Sequence, residues 1–158
     1  MVVHLRDPRQ AMLSNLHHIA GTFEETVRIM RSPPPAEYPA WSVAERADWL
    51  LKSYFPELLA WVEGWLAAER DPGNGIEILF TTYEDFHADQ GTVFDQIIAF
   101  HGLARSDLTA ANEVEKNRAT HFRRGTTDEW RETFTPAQQA AMWARMPRGL
   151  SERFSWRP

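Results

Sequence analysis

The apolar positions of this chain change period several times, and each change marks an element. Val2-Val3-His4-Leu5 is a short apolar run and reads as a buried strand, after which Arg6-Asp7-Pro8 turns the chain. Proline suits the first turn of a helix, because its missing N–H would have no helical partner there. The helix is expected to run to about Ile19. Thr22 to Met30 reads as a second helix, with Phe23, Val27 and Met30 at four- and three-residue spacing. The proline-rich stretch from Arg31 to Pro39 reads as a surface excursion. Ser42-Val43-Ala44-Glu45 has the capping-box pattern and opens a helical stretch to about Glu69. Leu51, Tyr54, Leu58, Trp61, Val62 and Trp65 fall there on one stripe, read as packing. Pro56 lies inside it, so the helix either kinks or starts afresh.

Asp71-Pro72-Gly73-Asn74-Gly75 is a turn signal. Ile76 to Thr82, β-branched and apolar, reads as the second strand. Thr92 is expected to cap a helix carrying Val93, Ile97, Ile98 and Phe100, which Gly102 ends. Thr109 to about Lys116 reads as a shorter helix. Arg118 to Phe134 has no clean period and reads as a loop with a turn of helix. Thr135-Pro136-Ala137-Gln138 is a second capping box, opening a final helix to about Met146. The order of strand, helices, strand, helices predicts a parallel α/β sheet with a right-handed crossover. Two parallel strands alone bury their faces and edges poorly. The chain is therefore expected to be the C-terminal portion of a larger α/β domain, or to borrow strands from another chain, with self-association as one consequence.

Composition narrows the classes of function. At 158 residues the chain is expected to form one domain over 1–158, and 43% hydrophobic residues can supply its core. The net charge is −5 and the pI about 5.7, which argues against a general nucleic-acid or anionic-membrane surface. No cysteine is present, so disulfides, thiolate metal sites and cysteine nucleophiles are excluded. No apolar run approaches the ~20 residues needed to span a bilayer. The default expectation is a soluble, cytoplasmic protein.

Three segments could carry chemistry. Arg6 lies at the C-terminal end of the first strand, where open α/β sheets place their ligands, and Ser14 follows two turns into the next helix. Taken alone, Arg6 reads equally as the partner of a carboxylate. Arg123-Arg124-Gly125 offers forked donors beside a backbone N–H that an anion can approach closely, which suits a phosphate monoester. By itself such a stretch reads first as a solvated loop. Tyr83, ending the second strand, could edge a purine, whereas Glu84 and Asp85 read as capping carboxylates. His17 and His18 are helix residues, and no histidine or carboxylate set has convincing metal geometry. Trp130, inside the arginine-glycine stretch, reads as an anchor for it.

In order and spacing these segments resemble the sulfotransferases that use 3′-phosphoadenosine 5′-phosphosulfate. Arg6-Asp7-Pro8 with Ser14 is similar to the family's R-[ND]-P-x-x-x-x-x-S segment. Tyr83-Glu84-Asp85-Phe86 is similar to its Y-E-D-[LF] strand end. Arg123-Arg124-Gly125 with Trp130-Arg131 is similar to R-K-G-x-x-G-D-W-K. The resemblance implies a phosphate-loop-NTPase-like, three-layer α/β sulfotransferase fold, here partial, with few parallel strands and mostly helical. It implies 3′-phosphoadenosine 5′-phosphosulfate as donor and adenosine 3′,5′-bisphosphate as product. It places Arg6, Ser14, Arg123, Arg124 and Gly125 at the 3′-phosphate and Tyr83 near the adenine. The acceptor would be a hydroxyl or amine on a small molecule or carbohydrate. Asp128-Glu129 departs from the family's Gly-Asp. No sequence of the form P-K-[ST]-G-[ST]-[ST], which cradles the 5′-phosphosulfate, occurs here, and no residue is identified as the general base. The expectation is thus the adenosine and 3′-phosphate half of a sulfotransferase site. A non-catalytic nucleotide-binding or interaction module derived from one is the alternative.

Overall fold

The computed structural model describes residues 1–30, 32–104 and 125–158. Its elements in order are β1 (Val2–Leu5), α1 (Pro8–Gly21), α2 (Phe23–Ile29), α3 (Val43–Arg70), β2 (Leu79–Thr82), α4 (Tyr83–Ala88), α5 (Gln90–Phe100), α6 (Trp130–Thr133), α7 (Pro136–Arg145) and α8 (Arg148–Arg153). Single 3-10 turns lie at Tyr38–Ala40 and Pro72–Asn74. The described part is mostly helical, with a small parallel two-stranded sheet. The chain divides into two compact units, one of residues 1–6 and 68–127, the other of residues 7–67 and 128–158.

The first unit holds the sheet. β1 and β2 pair in parallel with Val2 opposite Leu79, Val3 opposite Phe80, His4 opposite Thr81 and Leu5 opposite Thr82. The expected second strand was longer, from Ile76. β1 supplies only four pairing positions, and the Ile76 N–H is instead taken by the Asn74 side chain at 2.8 Å, so the ladder begins at Leu79. β2 runs straight into α4 because Thr82 caps it. The Thr82 hydroxyl oxygen accepts from the Asp85 N–H (3.0 Å) and its O–H donates to the Asp85 carboxylate (2.7 Å). Of the two carboxylates expected to cap, Asp85 braces the Thr82 cap rather than making it. The cap of α5 is Asp89 rather than Thr92. Its carboxylate accepts from both the backbone N–H and the hydroxyl of Thr92, two residues inside the helix. Gly102, at φ 65°, ends α5 as expected, with the Leu103 N–H returning to the Ile98 carbonyl. The expected helix from Thr109 to Lys116 lies outside the described residues.

Within the sheet, the His4 ring nitrogen Nδ1 lies 2.8 Å from the Thr81 hydroxyl, and its ring meets Phe86 edge-on at 6.1 Å. Although His4 is an exposed position of β1, partial desolvation lowers its pKa from the ordinary 6.5. The unfolded chain then binds the proton more readily than the folded one. The contribution of neutral His4 is therefore present above pH 6.5 and is lost as pH falls through the lowered value. The melting temperature is expected to drop between pH 7 and 5 by less in His4→Gln than in the parent chain. Equal drops would assign the acid sensitivity elsewhere.

The second unit is helical. Asp7 caps α1, Pro8 takes the first helical position, and Met12, Leu13, Leu16 and Ile19 are fully buried along one face. α3 opens on the expected capping box, with Ser42 and Glu45 exchanging hydrogen bonds. It continues through Pro56 as one 28-residue helix. Its buried stripe is Ala47, Leu50, Leu51, Phe55, Leu59, Val62 and Leu66. The stripe expected from sequence was rotated from this one. Leu51 and Val62 are shared, but Tyr54, Leu58 and Trp65 are only partly covered and Trp61 is 49% exposed. Long helices carry two plausible apolar stripes when aromatic residues are frequent, and the packing partner decides between them. The stretch from Arg31 to Pro39 is no mere excursion. Pro34 and Tyr38 are buried, and the Tyr38 ring lies against Phe23, Trp41 and Trp49 at 5.5–6.3 Å. Burial pushes the Tyr38 phenol up to about 12, against the opposing pull of Arg46. α7 begins with the expected capping box at Thr135. Gln138 from that box also donates to Asp48 and to the Ala44 carbonyl on α3. α8 was not anticipated. Pro147 precedes its first turn, and Leu150 and Trp156 are buried.

Candidate functional site

The parallel register carries the first unit's site. Leu5 and Thr82 are the last paired residues. One step beyond the ladder come Arg6, leaving β1, and Tyr83, opening α4. The Arg6 guanidinium lies over the Tyr83 ring, 4.2 Å from its centroid. Its Nη2 donates to the Thr126 carbonyl at 2.6 Å. The Tyr83 hydroxyl donates to the Gly125 carbonyl at 3.1 Å. Gly125 itself has φ 70°, the left-handed region in which an L side chain is strained. The His87 ring stands one turn after Tyr83, tilted, at 6.1 Å. Strand end, helix start and glycine turn are thus held together by one cation–π contact and two hydrogen bonds.

Of the six residues expected at the site, the structure brings together Arg6, Tyr83 and Gly125. Tyr83 is the first residue of α4 rather than the last of the strand, because the Thr82 cap starts the helix there. Ser14 belongs to the second unit, on an exposed position of α1. Arg123 and Arg124 lie outside the described residues.

The second unit contains an anchoring network that the sequence reading largely missed. Arg9, 1% exposed, makes a forked contact with Asp7, through Nε to Oδ1 (3.0 Å) and Nη2 to Oδ2 (2.7 Å). Asp7 Oδ1 also accepts from the Arg9 backbone N–H and so caps α1. The Arg9 guanidinium lies 3.9 Å from the Trp130 ring centroid and 5.4 Å from that of Trp143. Trp130 is 2% exposed, and its backbone N–H donates to the Gln10 side chain at 3.1 Å. The anchoring role expected for Trp130 therefore has a definite partner, the first turn of α1. Arg131 covers the same indole at 4.2 Å and donates to the Arg157 and Pro158 carbonyls. The available signal for Arg9 was an acid and a base flanking a proline at a helix start. That spacing lets a cap carboxylate meet a side chain two residues on, within the first turn.

Among the described residues no group of histidines and carboxylates could hold a metal ion, and no helix is long and apolar enough to cross a membrane. Compared with known proteins, residues 1–149 match the family model described as the sulfotransferase domain. No curated protein and no solved structure matches the chain.

Proposed function

The chain belongs to the sulfotransferase family, and from that membership we propose that it binds the 3′-phosphoadenosine end of 3′-phosphoadenosine 5′-phosphosulfate and serves sulfuryl transfer to an acceptor hydroxyl or amine on a small molecule or carbohydrate. The observation that supports this reading most directly is the placement of Arg6. Its guanidinium stands at the C-terminal end of a parallel strand, beside a glycine turn at φ 70°. A guanidinium is a planar fork of donors matched to phosphate oxygens. The glycine has no Cβ to keep an anion from the backbone. This donor set fits a phosphate monoester. Ser14, Arg123 and Arg124 enter by the family resemblance alone.

When bound, the donor supplies the sulfuryl group that is transferred. The part given to this chain is to hold and orient. Arg6, with the Gly125 N–H, binds the 3′-phosphate, and the surface around Tyr83 faces the nucleoside. Holding the remote end of a donor is productive, because fixed geometry converts binding into a lower barrier at the reacting end. No residue of this sequence is given a proton-transfer role.

Calorimetric titration with adenosine 3′,5′-bisphosphate tests the reading. Micromolar binding that weakens as salt is raised is expected, since exposed charge contacts are screened. A folded sample that does not bind the bisphosphate overturns the proposal. Binding without sulfuryl transfer from the donor to any offered acceptor would instead identify a nucleotide-binding module.

A further inference from the structure

We infer that Tyr83 is a positioning residue: it seats the Arg6 guanidinium and ties down the Gly125 turn, rather than serving as the stacking surface for a purine. The inference takes its ligand from the nucleotide reading above and its placement from the geometry of the first unit. The guanidinium occupies a face of the Tyr83 ring at 4.2 Å. A purine cannot stack on that face while Arg6 rests there. The hydroxyl is committed too, donating to the Gly125 carbonyl at 3.1 Å, while Arg6 donates to the next carbonyl, that of Thr126. Tyr83 and Arg6 thus hold two consecutive peptide units of the turn from one side.

This arrangement has a direct consequence for anion recognition. Arginine loses side-chain entropy when it is fixed on a ligand. A ring that fixes the guanidinium beforehand removes part of that loss from binding. The Tyr83 backbone is itself fixed, because the Thr82 cap, braced by Asp85, sets Tyr83 as the first residue of α4, and its hydroxyl is held by the Gly125 carbonyl. The effect of Tyr83 should therefore be felt through the 3′-phosphate and only in the presence of Arg6.

The test compares Tyr83→Phe, Tyr83→Leu, Arg6→Ala and the Tyr83→Leu/Arg6→Ala double variant. Binding of adenosine 3′,5′-bisphosphate and of adenosine 5′-monophosphate is measured, together with amide exchange at Thr126 and Thr127 by NMR. Tyr83→Leu is expected to weaken the bisphosphate about tenfold and leave the monophosphate unchanged, and to add nothing to Arg6→Ala. Tyr83→Leu and Arg6→Ala should each raise exchange at the two threonines. Tyr83→Phe keeps the ring and should raise exchange with a smaller loss of affinity. Should Tyr83→Leu fail to fold, the phenylalanine variant still reads the hydroxyl's share.

Equal loss on both nucleotides, or losses that add in the double variant, would place Tyr83 on the nucleoside and overturn the inference. If the parent chain binds neither nucleotide, the functional proposal fails. The positioning role is then decided by exchange alone: it stands if Tyr83→Phe and Arg6→Ala loosen Thr126 and Thr127, and falls if they do not.

Discussion

Replacing Arg9 with alanine is expected to destabilise the protein by about 3–5 kcal/mol, the range for removing one partner of a buried ion pair. Arg9 is 1% exposed and Asp7 6%, so the carboxylate left behind would be buried without its guanidinium. The same change removes the cation from the faces of Trp130 and Trp143 and opens a cavity at the start of α1. Charge, cation–π contact and packing are lost together, which explains why this exceeds the ~0.5 kcal/mol within which ordinary surface substitutions usually fall. Denaturant unfolding gives the check, through a large fall in midpoint with little change in slope. A loss below about 1 kcal/mol would show that the network is dispensable.

A companion variant separates the charge from the volume. Asparagine caps helices about as well as aspartate. Asp7→Asn with Arg9→Met keeps the cap and much of the side-chain bulk and leaves no buried charge. It is expected to be clearly more stable than Arg9→Ala alone. If it is not, the forked geometry over the indole carries more of the energy than the avoided charge.

Replacing Arg6 with alanine is expected to weaken adenosine 3′,5′-bisphosphate binding tenfold or more while leaving the fold in place. A hydrogen bond to a charged group contributes ~1.5–3 kcal/mol, and 1.4 kcal/mol is a factor of ten in affinity. Arg6 is only half buried and its contacts lie at the end of the sheet, so its stability cost should be small beside that of Arg9. The contrast is itself informative. Two arginines three residues apart, on either side of Asp7-Pro8, have opposite expected signatures, one in binding and the other in stability. Calorimetry and melting on both variants read this directly. Unchanged affinity in Arg6→Ala would remove Arg6 from the proposed phosphate site.

What the sequence determined by itself was local or was ancestry. The capping boxes at Ser42 and Thr135, the proline at the head of α1 and the glycine stop at Gly102 depend on partners within a few residues, and each was legible. The two strands were legible as apolar runs, and the order of the three basic and aromatic segments pointed to the family that the match over residues 1–149 shows.

Contacts across long chain separations were decided only in three dimensions. Arg6 meets a carbonyl 120 residues away, and nothing near it in sequence says so. Its seat on Tyr83 follows from the register of β1 on β2, and period-two alternation cannot specify which partner residue lies opposite. The rotation of the buried stripe on α3 and the burial of Tyr38 have the same origin. An amphipathic pattern says that a face will be covered, while the element that covers it decides which face. Arg9 shows the point most sharply: a charged residue in a first helical turn reads as solvated until two indoles and a carboxylate enclose it.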